Sequence, residues 1–298
     1  MYDQADRLRR LALKEKEKIE QEIVRENKYT RVIVVSSGKG GVGKSTLSLN
    51  IALNMCKRGN RVILMDADLG LANIDIMLGI VPKFNLYHMV QEKKDLREII
   101  ISRPEGLSII PGGSGITELA NLKENDCQRV IREIGKLEGE FDYMIVDTGA
   151  GISNNVISFL LSADDIIMVT TPEPTAITDV YGVIKAVAKR APTKPIYLVV
   201  NRVANNSEGI MVADKLKLVC ERFLNLKIQV LGYVVNETIV EEAIRRQQAF
   251  ILIFPRSLAA RNIDSIVTNL IKANSQKTEV RQTSGGIRQF FKKVIGLS

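Results

Sequence analysis

Tryptophan is absent from this 298-residue sequence, and histidine occurs once, at His88. The three cysteines, Cys56, Cys127 and Cys220, are far apart and show no CxxC spacing. Neither a disulfide framework nor a zinc site is expected, and His88 is assigned no chemistry. No stretch approaches the roughly 18 consecutive apolar residues of a spanning helix. The charged first 30 residues contain no signal-peptide core, so a cytoplasmic protein is expected. Charge gives little support to a nucleic-acid partner. Of the net +8, residues 1–31 carry +2 and residues 272–298 carry +5, which leaves +1 for everything between. The excess positive charge is a property of the tails.

What is present is a repeating alternation. Short runs rich in β-branched residues begin at Arg31, Arg61, Leu107, Tyr143, Asp165, Ile196 and Gln229, and helical patterns follow at about 44–58, 127–138, 174–189, 208–223, 238–248 and 257–272. Strands alternating with helices predict an α/β fold: a doubly wound, mostly parallel sheet of about seven to eight strands with helices on both faces. The expected division is an N-terminal arm over 1–30, one domain over 31–272, a polar Ser/Thr/Gly-containing linker over 273–286, and an amphipathic helix over 287–298.

The first strand runs directly into GKGGVGKST, residues Gly38, Lys39, Gly40, Gly41, Val42, Gly43, Lys44, Ser45 and Thr46, and a helical pattern starts at Lys44. Strand, glycine-rich loop and helix are the context in which this spacing binds phosphate. Glycines let backbone N–H groups wrap the phosphates, Lys44 supplies charge to the β- and γ-phosphates, and the Ser45 hydroxyl is a ligand for Mg²⁺. The runs ending in Asp66-Ala67-Asp68 and in Asp147-Thr148-Gly149 bring carboxylates to the C-terminal ends of strands, the edge where open α/β sheets bind ligands. Asp147 has the Walker B position, an apolar strand followed by Asp, with a role in holding the Mg²⁺ water shell. The guanine-reading NKxD pattern is absent, which favours ATP and ADP as the nucleotides.

The loop carries a second lysine, Lys39, that phosphate binding within one chain does not require. With it, the nine residues resemble the deviant Walker A motif of the MinD/ParA family. The resemblance implies that Lys39 reaches across a face-to-face homodimer to the partner's nucleotide, in the manner of an arginine finger. It also implies that Asp68 positions or deprotonates the attacking water while Asp66 lies nearer the metal. The Ile196 run is similar to that family's base-recognition strand, with Asn201 pairing to the adenine edge and Arg202 stacking on the ring.

Both tails extend the resemblance. In GIRQFFKKVIGLS, Ile287, Phe290, Phe291, Val294 and Ile295 share one helical face, with Arg288, Lys292 and Lys293 among the other positions. A basic amphipathic helix after a polar linker suits an anionic membrane surface, here the inner face of the cell membrane, the alternative being a terminal helix docked on the protein's own core. At the other end DQADRLR, with Asp3, Gln4, Leu8 and Arg9, resembles the activator segment of the MinD-like flagellar-number regulators, the FlhG (YlxH/FleN) group. That resemblance implies stimulation of a partner GTPase related to the signal-recognition particle, the FlhF type, with Gln4 contributing at its nucleotide site. Flagellar basal-body components are further candidate partners. Gly149 stands where division-site MinD proteins commonly have proline, which favours the flagellar branch. A division-site MinD-type ATPase and a ParA-type DNA-partitioning ATPase are the competing readings.

Overall fold

The structure, a computed structural model, describes residues 29–68, 73–91, 94–112, 124–275 and 285–295. The Asp3, Gln4, Leu8 and Arg9 arm motif lies outside these residues. Eight strands form one sheet in the order β3-β4-β2-β5-β1-β6-β7-β8. They are β1 (Arg31–Ser37), β2 (Val62–Ala67), β3 (Ile101–Ser102), β4 (Leu107–Ile110), β5 (Tyr143–Ala150), β6 (Asp165–Thr170), β7 (Ile196–Val203) and β8 (Gln229–Val235). Among the described residues only the β3–β4 pair is antiparallel. All seven strand runs read from sequence are found. β3 is the addition, two residues at the sheet edge, too short to produce a hydrophobic pattern.

Every residue of β1, β2 and β6 is buried, as strands covered on both faces require. On one face lies a core built from α5 (Glu124–Gly135), α6 (Asn154–Ser162), α7 (Pro174–Arg190), α8 (Asn206–Leu224) and the C-terminal α12 (Ile287–Ile295). The second face packs α1 (Lys44–Lys57), α2 (Asn73–Leu78), α9 (Thr238–Arg245), α10 (Phe250–Ile253) and α11 (Leu258–Ser275). Two short helices, α3 (Leu86–Gln91) and α4 (Leu96–Ile99), precede β3. Ten residues of α1 are buried, so this helix is wrapped by protein nearly all round.

Two boundaries differ from the sequence reading. Tyr29 and Thr30 belong to the folded body: Thr30 is fully buried, and its hydroxyl donates to the carbonyl of Phe141 at 2.7 Å. Helix α11 continues to Ser275, three residues into the expected linker. The larger difference concerns α12. Its apolar face is not presented to solvent but seated between α5 and α6, with Ile287, Phe290 and Phe291 at most 1% exposed. Phe290 lies 5.8 Å from Phe159 and 5.2 Å from Phe291 between ring centroids, and Val294 and Ile295 pack at the edge of the same core. Periodicity identifies an apolar face but not its solvent. Lipid and a slot in the protein's own core satisfy it equally.

Candidate functional site

The C-terminal ends of β1, β2 and β5 are adjacent in the sheet, and they gather the loop and the aspartates at one edge. Residue pairing across β2 and β5 sets Asp66 beside Asp147. Both are fully buried. The Lys44 ammonium reaches Oδ1 of Asp147 at 2.9 Å and lies 3.9 Å from Oδ2 of Asp68. Asp147 Oδ1 also accepts from the Ser48 hydroxyl at 2.9 Å, whereas its Oδ2 has no hydrogen-bond partner among the described residues.

The Asp66 carboxylate accepts backbone N–H groups from Asp68 and Ile74, each at 3.1 Å. Burial pushes its pKa up to about 7, with the Asp147 charge adding to the effect and the two N–H donors and Lys44 opposing it. Two buried carboxylates therefore face one lysine. This donor set fits a divalent cation with its phosphates. The partnerless oxygen of Asp147 and the raised pKa of Asp66 both mark negative charge that the protein leaves incompletely compensated. Among the described residues no three acidic, His or Cys side chains form a ready metal cage. A Mg²⁺ site completed by phosphates does not need one.

The phosphate loop is shaped by close contacts. Gly43, at the start of α1, has φ of 87°, and a Cβ there would lie 2.3 Å from the Asn201 amide nitrogen. At Gly38 the same atom would meet the Asp179 and Val180 backbone at 2.2 Å. Both positions accept only glycine, one for its left-handed backbone and contact, the other for contact alone. Gly40, Gly41 and Lys39 stand on the exposed rim, while Val42 and Lys44 are buried and Ser45 and Thr46 are half-buried. Lys39 is parked along its own chain, with its ammonium 3.0 Å from Glu173 and 3.3 Å from the Thr175 hydroxyl. The two lysines of one loop are thus separated, one inside the site and one at its mouth.

Asn201 is nearly buried, and its amide donates to the Val42 carbonyl at 2.8 Å. Part of its hydrogen-bonding capacity holds the loop, which the sequence reading of a pure base contact missed. Arg202, exposed and left-handed at φ of 58°, stands beside it at the mouth of a cleft whose far wall is Val234, Asn236, Glu237, Val240 and Ile244. These wall residues lie at the end of β8 and just after it, and the pairing of β8 with β7 brings them to the loop. Ser48 was likewise missed. Its only sequence signal is position, one helical turn after Lys44.

The AAA domain family model matches residues 30–195. The antiactivator FleN of Pseudomonas aeruginosa is 36% identical over 77% of this chain and 82% of its own length. The flagellum site-determining protein YlxH of Helicobacter pylori is 35% identical over 89% of this chain and 90% of its own. Among solved structures, the MinC:MinD cell division protein complex of Aquifex aeolicus superposes with a TM-score of 0.65 at 26% identity, covering 82% of this chain and 96% of that one.

Proposed function

Since the chain belongs to the MinD/ParA family of P-loop ATPases, in its FleN/YlxH (FlhG) branch, we propose that its ATPase cycle is a membrane-linked switch controlling flagellar number and placement. In this reading ATP pairs two copies of the chain. The pair associates with the inner face of the cell membrane through α12, and the N-terminal arm stimulates an FlhF-type GTPase through Gln4.

The observation that carries the switch is the division of labour between the lysines. Lys44 is buried against Asp147, while Lys39 is 44% exposed at the rim and held only by surface partners, so it is free to engage a second copy. Backbone N–H groups of Gly40 to Thr46 with Lys44 would hold the phosphates, and Ser45, Asp66 and Asp147 would hold Mg²⁺. Bound there, the ion would neutralise phosphate charge during in-line attack by water. Lys44 would leave Asp147 for the phosphates. Asp68, one-quarter exposed and 3.9 Å from Lys44, orients the attacking water, and the partner's Lys39 adds charge to the same transition state.

Membrane association then requires α12 to leave its slot, because the face that would enter lipid is inside the protein. Lys292 and Lys293 are half-buried and remain on the outer side of that face, where they suit anionic headgroups. Two helices per dimer bind together more firmly than one.

Two experiments test the reading. Vesicles containing anionic lipid are expected to pellet the protein with ATP and not with ADP, and the double variant Lys292→Glu, Lys293→Glu is expected to stay in solution with either. Nucleotide-independent pelleting would remove the switch. A peptide of residues 1–28 is expected to accelerate GTP hydrolysis by the FlhF-type partner, with most of the effect lost in Gln4→Ala. No acceleration at saturating peptide would remove the activator role.

A further inference from the structure

Asp147 is fully buried, yet its one ion-pair partner among the described residues, Lys44, is the group that bound phosphates would draw away. A carboxylate that loses its counter-charge in the interior needs another donor to stay oriented. Among the described residues the one remaining donor to it is the hydroxyl of Ser48, 2.9 Å from Oδ1 and itself fully buried. Ser48 also lies 3.0 Å from the carbonyl of Lys44, one turn back, where a serine in a helix commonly bonds. One hydroxyl has one proton to give. A carboxylate is a stronger acceptor than a carbonyl, and the Lys44 carbonyl is already in reach of the Ser48 backbone N–H of the same helix.

We infer that Ser48 is a positioning residue for the Mg²⁺ of the nucleotide site: it fixes Oδ1 of Asp147 so that the partnerless Oδ2 faces the ion's water shell. The inference rests on the assignment of Asp147 to the Mg²⁺ site. The placement gives α1 two tasks four residues apart. Lys44 moves between Asp147 and the phosphates, while Ser48 stays and keeps the carboxylate from turning after it. Carboxylates around metal ions are generally held this way, and losing the holding group typically lowers metal affinity about tenfold to a hundredfold.

The test measures Mg²⁺ dependence of nucleotide binding, separate from turnover. Full-length wild type, Ser48→Ala and Ser48→Thr are titrated with a fluorescent ADP analogue, first in EDTA and then at rising Mg²⁺, alongside melting temperatures of the nucleotide-free proteins. Ser48→Ala is expected to bind like wild type in EDTA but to need roughly tenfold more Mg²⁺ to reach half of the tightening. Ser48→Thr, which keeps the hydroxyl, is expected to restore the wild-type midpoint. Equal Mg²⁺ midpoints in wild type and Ser48→Ala would overturn the inference. So would a loss of binding already complete in EDTA with a matching fall in melting temperature, since that is the signature of packing alone. If Mg²⁺ leaves wild-type binding unchanged, the assignment of Asp147 falls, and the role of Ser48 falls with it.

Discussion

Thr30 and Arg288, near opposite ends of the described chain, donate their backbone N–H groups to the same carboxylate, that of Glu138, at 2.8 and 3.3 Å. Glu138 thereby caps the first turn of α12 while holding the residue at which the N-terminal arm joins the sheet. Burial pushes its pKa up, and the N–H groups of Thr30, Arg288 and Ile287 pull it back. A neighbouring anchor repeats the pattern. Asp164 accepts from the Val32 N–H at 2.8 Å and from the Tyr29 hydroxyl, and Tyr29 also contacts the backbone of Gly286. The roots of both tails share one polar seam.

Removing that seam should loosen α12 first. Glu138→Ala forfeits hydrogen bonds to a charged acceptor, each worth about 1.5–3 kcal/mol. Amide exchange over residues 287–295 is expected to accelerate by at least roughly tenfold, while exchange in β1 and β5 changes little. The readout is hydrogen–deuterium exchange by mass spectrometry. Unchanged exchange in α12 would show that its packing against Phe159 alone holds it.

Asp75, next in the chain to the Ile74 whose N–H bonds Asp66, predicts a pH effect on stability. It is 6% exposed, its Oδ1 has no hydrogen-bond partner among the described residues, and burial pushes its pKa up to about 6. The unfolded chain ionises this group near pH 4, whereas the fold keeps it protonated until about pH 6. Stability is therefore lost as pH rises through that window and stays reduced above it. Asp75→Asn is expected to gain on the order of 1–3 kcal/mol at pH 8 and to gain little at pH 4. Urea unfolding at the two pH values measures the difference.

The loop makes a steric prediction. Gly43→Ala places a methyl group 2.3 Å from the Asn201 amide in a residue held at φ of 87°. The left-handed backbone alone costs about 1–2 kcal/mol, and the clash moves Asn201 off the Val42 carbonyl. Calorimetry is expected to show no ADP binding at concentrations that saturate wild type. Gly40→Ala, where the added carbon meets nothing within 4 Å, is expected to bind.

The lysine at the rim and the aspartate inside should separate pairing from chemistry. Lys39→Ala is expected to lower ATP turnover by on the order of a thousandfold and to weaken the ATP-dependent dimer. Asp68→Ala is expected to suppress turnover while keeping that dimer. Glu173→Ala, which releases Lys39 from its resting contact, is expected to dimerise at lower protein concentration. Phosphate release with light scattering after size exclusion reads both quantities. Equal rates in wild type, Lys39→Ala and Asp68→Ala would refute the assignment.

The parallel sheet was legible because each of its strands is an apolar run closed by a turn or helix signal. That the loop and the three aspartates meet at one edge was legible because each stands at or just beyond the C-terminal end of a strand. Features made by strand order were not. Asn201 bonding to Val42, Ser48 bonding to Asp147, and the β8 residues lining the cleft unite positions far apart in the chain. Helix α12 was legible as a helix with one apolar face. Its seat between α5 and α6 was hidden because the slot is built by Phe159 and its neighbours, which carry no mark of their partner.

The seating of Phe290 and Phe291 makes the folded body a rival solvent for the tail. A free peptide of residues 287–298 has only water to leave, whereas in the whole chain Ile287, Phe290 and Phe291 must abandon a packed interior. Vesicle affinity measured on the peptide should exceed that of the nucleotide-free protein, and in the proposed switch the gap between them is the work left to ATP-driven pairing.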